Sequence, residues 1–291
     1  MTLMITGGTG QMARALARHA GHVVGRPAFD FDVPNTIETV FRATAPTMVI
    51  NAAAFTAVDA AESHEPAAMR GNRDGPEILA RLCAAAGIPL IHLSTDYVFD
   101  GSKGSPYVES DPVAPLNAYG RTKLAGERAV LAACPRAIVL RTSWVYGSTG
   151  KSFVRTMLAA AAQTNHLRVV ADQHGNPTEA DDLANVILAI AARISREGWQ
   201  DNFAGIFHTA GTGATTWYSF ATAIFAEAAQ YGMTPPSVQA ITTADWPTLV
   251  NRPPDSRLDC TKLNAVFGLR LPPWQESLAR VVKEIFAMRG T

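Results

Sequence analysis

Short apolar runs alternate with helix-length segments through the first two-thirds of the chain. Leu3–Thr6 reads as a strand and residues 10–20 as a helix. Residues 22–25 form a second strand, 35–45 a helix capped by Asn35, and 48–52 a third strand. Residues 76–86 are helical and stop at Gly87. Residues 89–94 form a fourth strand, 117–133 a long helix and Ala137–Thr142 a fifth strand. Such alternation predicts an α/β fold, with a parallel sheet covered by helices on both faces. Unbroken runs such as Met48-Val-Ile50 and Ala137-Ile-Val-Leu140 fit strands buried on both sides, because neither face has to turn polar.

Beyond about residue 145 the rhythm breaks. A helix is predicted over 152–163, and Asp172-Gln-His-Gly-Asn-Pro-Thr178 reads as a turn-rich loop. A strong helix follows over 181–196, with one more strand of the first sheet over 205–209. Proline pairs at 235–236, 253–254 and 272–273 precede a final amphipathic helix near 276–288. The expected architecture is a Rossmann-type doubly wound parallel sheet over residues 1–145 that binds a dinucleotide. Residues 146–291 form a smaller, irregular substrate-binding lobe, with about 175–211 returning to the first unit.

Chemistry enters at the strand ends. Thr6-Gly7-Gly8-Thr9-Gly10-Gln11-Met12-Ala13 follows the first strand and opens the first helix. Glycines there allow a tight turn and bring backbone N–H groups up to a pyrophosphate, and the helix N-terminus adds partial positive charge. Gly7, Gly10, Gln11 and Met12 are therefore candidate cofactor contacts; the alternative is an ordinary glycine-rich turn. The second strand lacks a terminal acidic residue for a ribose 2′-hydroxyl. Arg26 stands there instead and suits a 2′-phosphate, which leans towards NADPH over NADH, although a solvated arginine is nearly as good a reading. Asp30 or Asp32 is placed to touch adenine or to cap the next helix. Small residues at the end of the third strand, Asn51 with Ala52, Ala53 and Ala54, leave room for a ligand at the edge where open α/β sheets bind them.

Ser94-Thr95-Asp96 closes the fourth strand on that same edge. Thr95 is placed to hydrogen-bond a substrate carbonyl, whereas Ser94 reads better as a turn or capping residue. Tyr119 and Lys123 lie four residues apart, one helical turn, so phenol and ammonium leave the same face. A nearby cation stabilises a phenolate. Drawing a phenol from ~10 to ~7 takes roughly 4 kcal/mol, after which tyrosine works as a general acid or base near neutrality. Trp144, after the fifth strand, offers an aromatic face to the apolar side of a sugar, or is a core residue. His92 reads as a packed histidine. Arg252, in a turn-rich segment, is able to hold a phosphate, with a solvated loop arginine as the default.

Composition narrows the partners. Lys+Arg and Asp+Glu are equal at 25 each and the pI is near 7.1, so no basic field exists to attract nucleic acid. Hydrophobic residues make up 47%, enough for a well-filled core, yet no apolar run is long enough to span a bilayer. Three widely spaced cysteines form neither a metal motif nor a disulfide framework, and the start lacks a leader pattern. A cytoplasmic protein with no membrane partner is expected.

The motifs together resemble the dTDP-4-dehydrorhamnose reductases, a family of extended short-chain dehydrogenases/reductases. The resemblance covers nearly the whole chain. Beyond the glycine turn it rests on Asn51-Ala-Ala-Ala-Phe-Thr-Ala-Val-Asp59 with Ala61-Glu62, and on Ser94-Thr-Asp-Tyr-Val-Phe-Asp-Gly101. It continues through Pro115-Leu-Asn-Ala-Tyr-Gly-Arg-Thr-Lys-Leu-Ala-Gly-Glu127, Arg141-Thr-Ser-Trp-Val-Tyr146, Asp172–Thr178 and Arg252-Pro-Pro-Asp-Ser-Arg-Leu-Asp259. It implies reduction of the C4 ketone of dTDP-4-dehydro-L-rhamnose by NADPH or NADH. Thr95, Tyr119 and Lys123 would form the catalytic triad, with Tyr119 and Lys123 also touching the cofactor. Thr95, Asp96 and Trp144 would lie by the sugar, and Gln173 and Arg252 near its nucleotide. Other 4-keto-6-deoxy nucleotide sugars, or a non-catalytic NADP-binding regulatory subunit, are the alternatives. Ala13 replaces a glycine common in the family. Ala15 replaces a glutamate that some members link to a magnesium-bridged dimer, so no metal is expected, while a homodimer stays compatible.

Overall fold

The computed structural model describes residues 2–18 and 21–288. The strands of the first half are β1 (Leu3–Thr6), β2 (His22–Val24), β3 (Met48–Asn51), β4 (Leu90–Thr95) and β5 (Ala137–Thr142). The second half adds β6 (Val145–Tyr146), β7 (His166–Val170), β8 (His174–Gly175), β9 (Thr178–Glu179), β10 (Gly205–His208), β11 (Thr215–Thr216) and β12 (Ser237–Ile241). A six-stranded sheet runs β10-β5-β4-β3-β1-β2, with every pairing parallel. The late strand β10 thus joins a sheet otherwise built by the first 142 residues.

The period of two sorts each strand onto both faces. Ile5, Ile50, Ile91, Ile138 and Leu140 pack with helices Gln11–Ala17 and Ala180–Glu197. Met4, Val49, Leu90, Ala137 and Val139 pack with helices Pro34–Thr44 and Gly75–Ala85. Both faces are dry, which is why the runs are unbroken. Chain order reverses at β1, since β2 and β3 flank it on opposite sides. Open sheets bind ligands beyond the strand ends at such a switch point. The remaining strands pair as β7–β12, β6–β9 and β8–β11. Around them, helices Phe153–Ala161, Trp217–Ala229 and Trp274–Ala287 bury a second core that includes Phe220, Ile224, Phe225, Leu278 and Val282.

Several boundaries differ from the sequence reading. The second and third strands end one residue early, at Val24 and Asn51, and the first helix covers Gln11–Ala17 with Gly10 as its N-cap; residues 19 and 20 lie outside the described residues. Residues 58–74 hold helices Val58–Ser63 and Glu65–Met69 and a π-helical turn Arg70–Asp74, none of them expected. The loop 172–178 contains β8 and the first residue of β9. Helix Trp217–Ala229 was missed because it is apolar nearly all round and shows no polar stripe to mark its period. Among the described residues no helix is long and apolar enough to cross a membrane.

Candidate active site

The glycine turn leaves β1 at the switch point. Gly7 and Gly8 hold φ of 112° and 52°, and Gly8 N–H donates to Val24 O at 2.9 Å while Gly10 N–H donates to Gly7 O at 2.8 Å. A side chain at Gly7 would stand 3.0 Å from Ala52 O, and one at Gly25 2.5 Å from the Gly8 Cα. The turn therefore lies flat against the ends of β2 and β3 only because those positions lack a Cβ. The Ala13 methyl, buried beneath, is tolerated for the same reason. No side chain caps the N-terminus of helix Gln11–Ala17, and the buried Gln11 Nε2 has no partner. An uncapped helix start, a flat turn and an unsatisfied amide suit the diphosphate of a dinucleotide.

The other predicted cofactor residues divide. Arg26, at the end of β2, pairs with Asp30 at 2.9 Å and Asp32 at 2.8 Å, and Arg70 reaches Asp32 at 2.6 Å. Met12 packs partly buried against the sheet core, and Ala52 does the same beside the turn. Ala53 N–H bonds Thr6 Oγ1 and Asn51 Oδ1, both at 3.2 Å, and Ala54 is half-buried. Asn51 is 1% exposed; its amide N–H donates to His92 Nδ1 at 2.8 Å and its carbonyl accepts from Thr6. Asn51 thus braces the ends of β1, β3 and β4 rather than opening outward. Burial, then the Lys123 charge, keeps His92 neutral.

Helix Ala118–Ala133 carries Tyr119 and Lys123. Asn117 caps it, its side-chain oxygen accepting from Gly120 N–H at 2.8 Å, and Glu62 accepts from Ala118 N–H at 2.6 Å. The first turn is therefore fixed where the phenol emerges. A Cβ at Gly120 would strike the Tyr97 carbonyl, and one at Gly126 the Asn72 carbonyl. Asn72 in turn donates to Thr122 Oγ1 at 3.0 Å and brackets the Phe55 backbone. The Tyr119 ring meets Tyr97 edge-on, with centroids 5.6 Å apart.

Desolvation pushes the Tyr119 phenol up to about 12; the neighbouring Thr95 hydroxyl pulls the other way, and the Asp96 charge adds to the rise. Lys123, 2% exposed, donates to Leu93 O at 2.6 Å; burial lowers its ammonium to about 8, against the pull of Glu127. The expectation that Lys123 draws the phenol towards neutrality is corrected here. Desolvation in this partly buried site disfavours the phenolate more strongly than any neighbour favours it. Thr95 Oγ1 donates to Asp96 Oδ1 at 3.1 Å, and burial lifts the Asp96 carboxyl to about 6, opposed by Ser256 and Thr95.

The other predicted residues gather beyond the strand ends. Trp144, with φ of 47°, stacks on Trp217 at 3.4 Å and 8°, and Gly175 presses on the same indole so closely that a Cβ would collide with it. Trp217 Nε1 donates to Gln173 Oε1 at 3.2 Å, and Gln173 Nε2 donates to Thr243 Oγ1 at 3.1 Å. Arg252 Nη2 holds both Asp59 oxygens, at 2.9 and 3.0 Å, and its buried Nε has no partner. Sequence reasoning missed Trp217 and Asn72, and it read Ser94 as a turn or capping residue where the structure has it in a buried set with Glu127 and Arg141. Glu127 was findable: it continues the four-residue spacing of Tyr119 and Lys123. Trp217 carried no signal beyond an aromatic pair in an unassigned segment.

A flat glycine turn, an uncapped helix start and a threonine–tyrosine–lysine set share one edge of a parallel sheet, which defines an NAD(P)-dependent oxidoreductase of the short-chain dehydrogenase/reductase type. The chain belongs to the family of the RmlD substrate binding domain, whose model matches residues 1–287. It is 45% identical to a dTDP-4-dehydrorhamnose reductase of Sinorhizobium fredii, over 97% of both chains. It is 38% identical to a probable dTDP-4,6-dihydroxy-2-methyloxan-3-one 4-ketoreductase of Streptomyces antibioticus, over 99% of this chain and 96% of that one. The crystal structure of a Bacillus anthracis dTDP-4-dehydrorhamnose reductase in complex with NADP superposes with a TM-score of 0.89 at 30% identity, covering 98% of this chain and 100% of that one.

Proposed function

We propose that the chain reduces the C4 ketone of dTDP-4-dehydro-L-rhamnose to dTDP-L-rhamnose with NADPH, NADH serving as the alternative donor. The observation that carries this reading is the partly buried, protonated Tyr119 phenol beside the Thr95 hydroxyl, on the edge that also bears the glycine turn. Gly7, Gly10, Gln11 and the start of helix Gln11–Ala17 would hold the dinucleotide diphosphate, and Arg26 would leave Asp30 and Asp32 to meet the ribose side. When bound, the reduced nicotinamide supplies the hydride that becomes the C4 hydrogen. Tyr119 gives its proton to the oxygen left negative at C4. A phenol near 12 is fully protonated at neutral pH, so it is ready as a donor without prior activation. Thr95 would turn its hydroxyl from Asp96 to donate a hydrogen bond to the same oxygen. Lys123 spends one of its three N–H donors on Leu93 O, leaving two for the cofactor ribose and the phenol oxygen.

Trp144 with Trp217 would bound the sugar, and Gln173 and Arg252 the nucleotide diphosphate, for which Arg252 would leave Asp59. Ala15, buried in the core, supplies no metal ligand, so a homodimer of this chain would not use the magnesium bridge. Loss of absorbance at 340 nm on mixing protein, NADPH and the keto-sugar nucleotide, with NMR of the product sugar, tests the reading. No turnover refutes it. The Streptomyces relative favours a second reading, reduction of another dTDP-linked ketone, which the product spectrum distinguishes.

The Lys123 shift gives a pH dependence. With its ammonium near 8 instead of 10.5, the charge is present below that pH and lost as pH rises through it. We expect kcat for reduction to fall above about pH 8 in step with that loss. A flat profile from pH 7 to 9.5 refutes the role. The sign for stability is opposite: the unfolded chain binds more protons in this window, so this group's contribution improves with rising pH.

A further inference from the structure

We propose that Glu127, anchored by Ser94 and Arg141, is the positioning residue that sets the Tyr119 phenol against the Thr95 hydroxyl, an inference that rests on the reductase reading above. Tyr119, Lys123 and Glu127 follow one another at four-residue steps on helix Ala118–Ala133, so they share a face. Glu127 turns into the sheet and is 1% exposed. Its Oε1 accepts from Ser94 Oγ at 2.5 Å and Arg141 Nε at 2.9 Å, and its Oε2 accepts from Arg141 Nη2 at 2.7 Å.

Ser94 immediately precedes Thr95 on β4, and Arg141 is its register partner on β5. One carboxylate therefore ties the helix of the proton donor to the strand of its hydroxyl partner, a single residue from Thr95. The tie adds a second strand to the bonds that already hold this helix, the capped first turn and the Lys123 bond to Leu93 O on β4. Gly120 and Gly126 meet the Tyr97 and Asn72 carbonyls as smooth backbone surfaces. Such contacts fix how closely the helix approaches but do little to stop it sliding along its axis. A three-bond anchor to two strands fixes that register. A site needs its groups held within about 0.5 Å, and an error of about 1 Å costs about a hundredfold in rate.

The anchor also fixes charge. Lys123 is faced by Tyr119 and Glu127 from its own helix and by His92 from β4, with Arg141 of β5 behind Glu127. Glu127 is the carboxylate that favours the ammonium.

Ser94→Ala, Glu127→Asp and Glu127→Gln test this. Ser94→Ala should fold, lose about tenfold in kcat and keep KM for the sugar nucleotide and NADPH affinity within about twofold. Glu127→Asp, short by one methylene, should lose about a hundredfold. Glu127→Gln should also move the alkaline limb about one unit lower, a change that a purely structural role would not produce. Crystal structures of the wild type and Ser94→Ala should differ by about 0.5 Å or more in the phenol–Thr95 separation. Wild-type kcat in Ser94→Ala with an unchanged separation overturns the proposal. If the Glu127 variants do not fold, Ser94→Ala decides alone. If the wild type reduces no sugar nucleotide, the reductase reading fails, and the measured separation still decides whether the anchor positions the phenol.

Discussion

Tyr119→Phe is expected to lower kcat by about a thousandfold while leaving NADPH affinity within about twofold of the wild type. The substitution removes one oxygen and keeps the ring, so the edge-on contact with Tyr97 and the capped first turn of the helix survive. What is lost is the proton donor. The Thr95 hydroxyl, an aliphatic alcohol, is a far weaker acid than a phenol and does not take over the proton transfer. Single-turnover reduction at 340 nm and a fluorescence titration with NADPH separate chemistry from binding. A variant retaining a tenth or more of wild-type turnover would rule out the phenol as the acid.

Arg141→Met should destabilise the fold by about 3–5 kcal/mol, a large share of the ~5–15 kcal/mol that holds a typical domain together. Arg141 and Glu127 are 2% and 1% exposed, so removing the guanidinium leaves a buried carboxylate with only Ser94 to satisfy it. Thermal unfolding should begin roughly 10 °C lower. The loss should be greatest at neutral pH and shrink towards pH 5. An isolated buried carboxyl has its pKa raised, so it takes up a proton there and sheds the uncompensated charge. Adding Glu127→Gln to Arg141→Met should recover part of the loss, because no naked charge then remains. Equal melting temperatures for wild type and Arg141→Met would show that the pair contributes nothing to stability.

The sheet was readable because its strands are buried on both faces: a run such as Ala137-Ile-Val-Leu140 has no other reading once helices flank it. The glycine turn was readable from its place between a strand and a helix. The second core was not. Helix Trp217–Ala229 has no polar stripe, and β7 and β12 are short and half-exposed, so neither carries a clear period. Within the site, spacing brought out Tyr119 and Lys123, but spacing says nothing about dielectric. The direction of the phenol's shift follows from how far neighbouring elements shield it from water, a tertiary property. Trp217 and Asp59 became visible as partners of Trp144 and Arg252 only when distant segments met.

One consequence concerns how such a chain can change over time. Thr95 and Tyr119 are carried by a strand end and a capped helix of the central sheet, whereas Gln173, Trp217 and Arg252 come from the later part of the chain, among short ladders and turns. On the proposed reading, reaction and recognition would be written on different stretches of polypeptide. Drift or grafting in the later stretch would then retune which sugar is accepted while the proposed proton donor stays untouched.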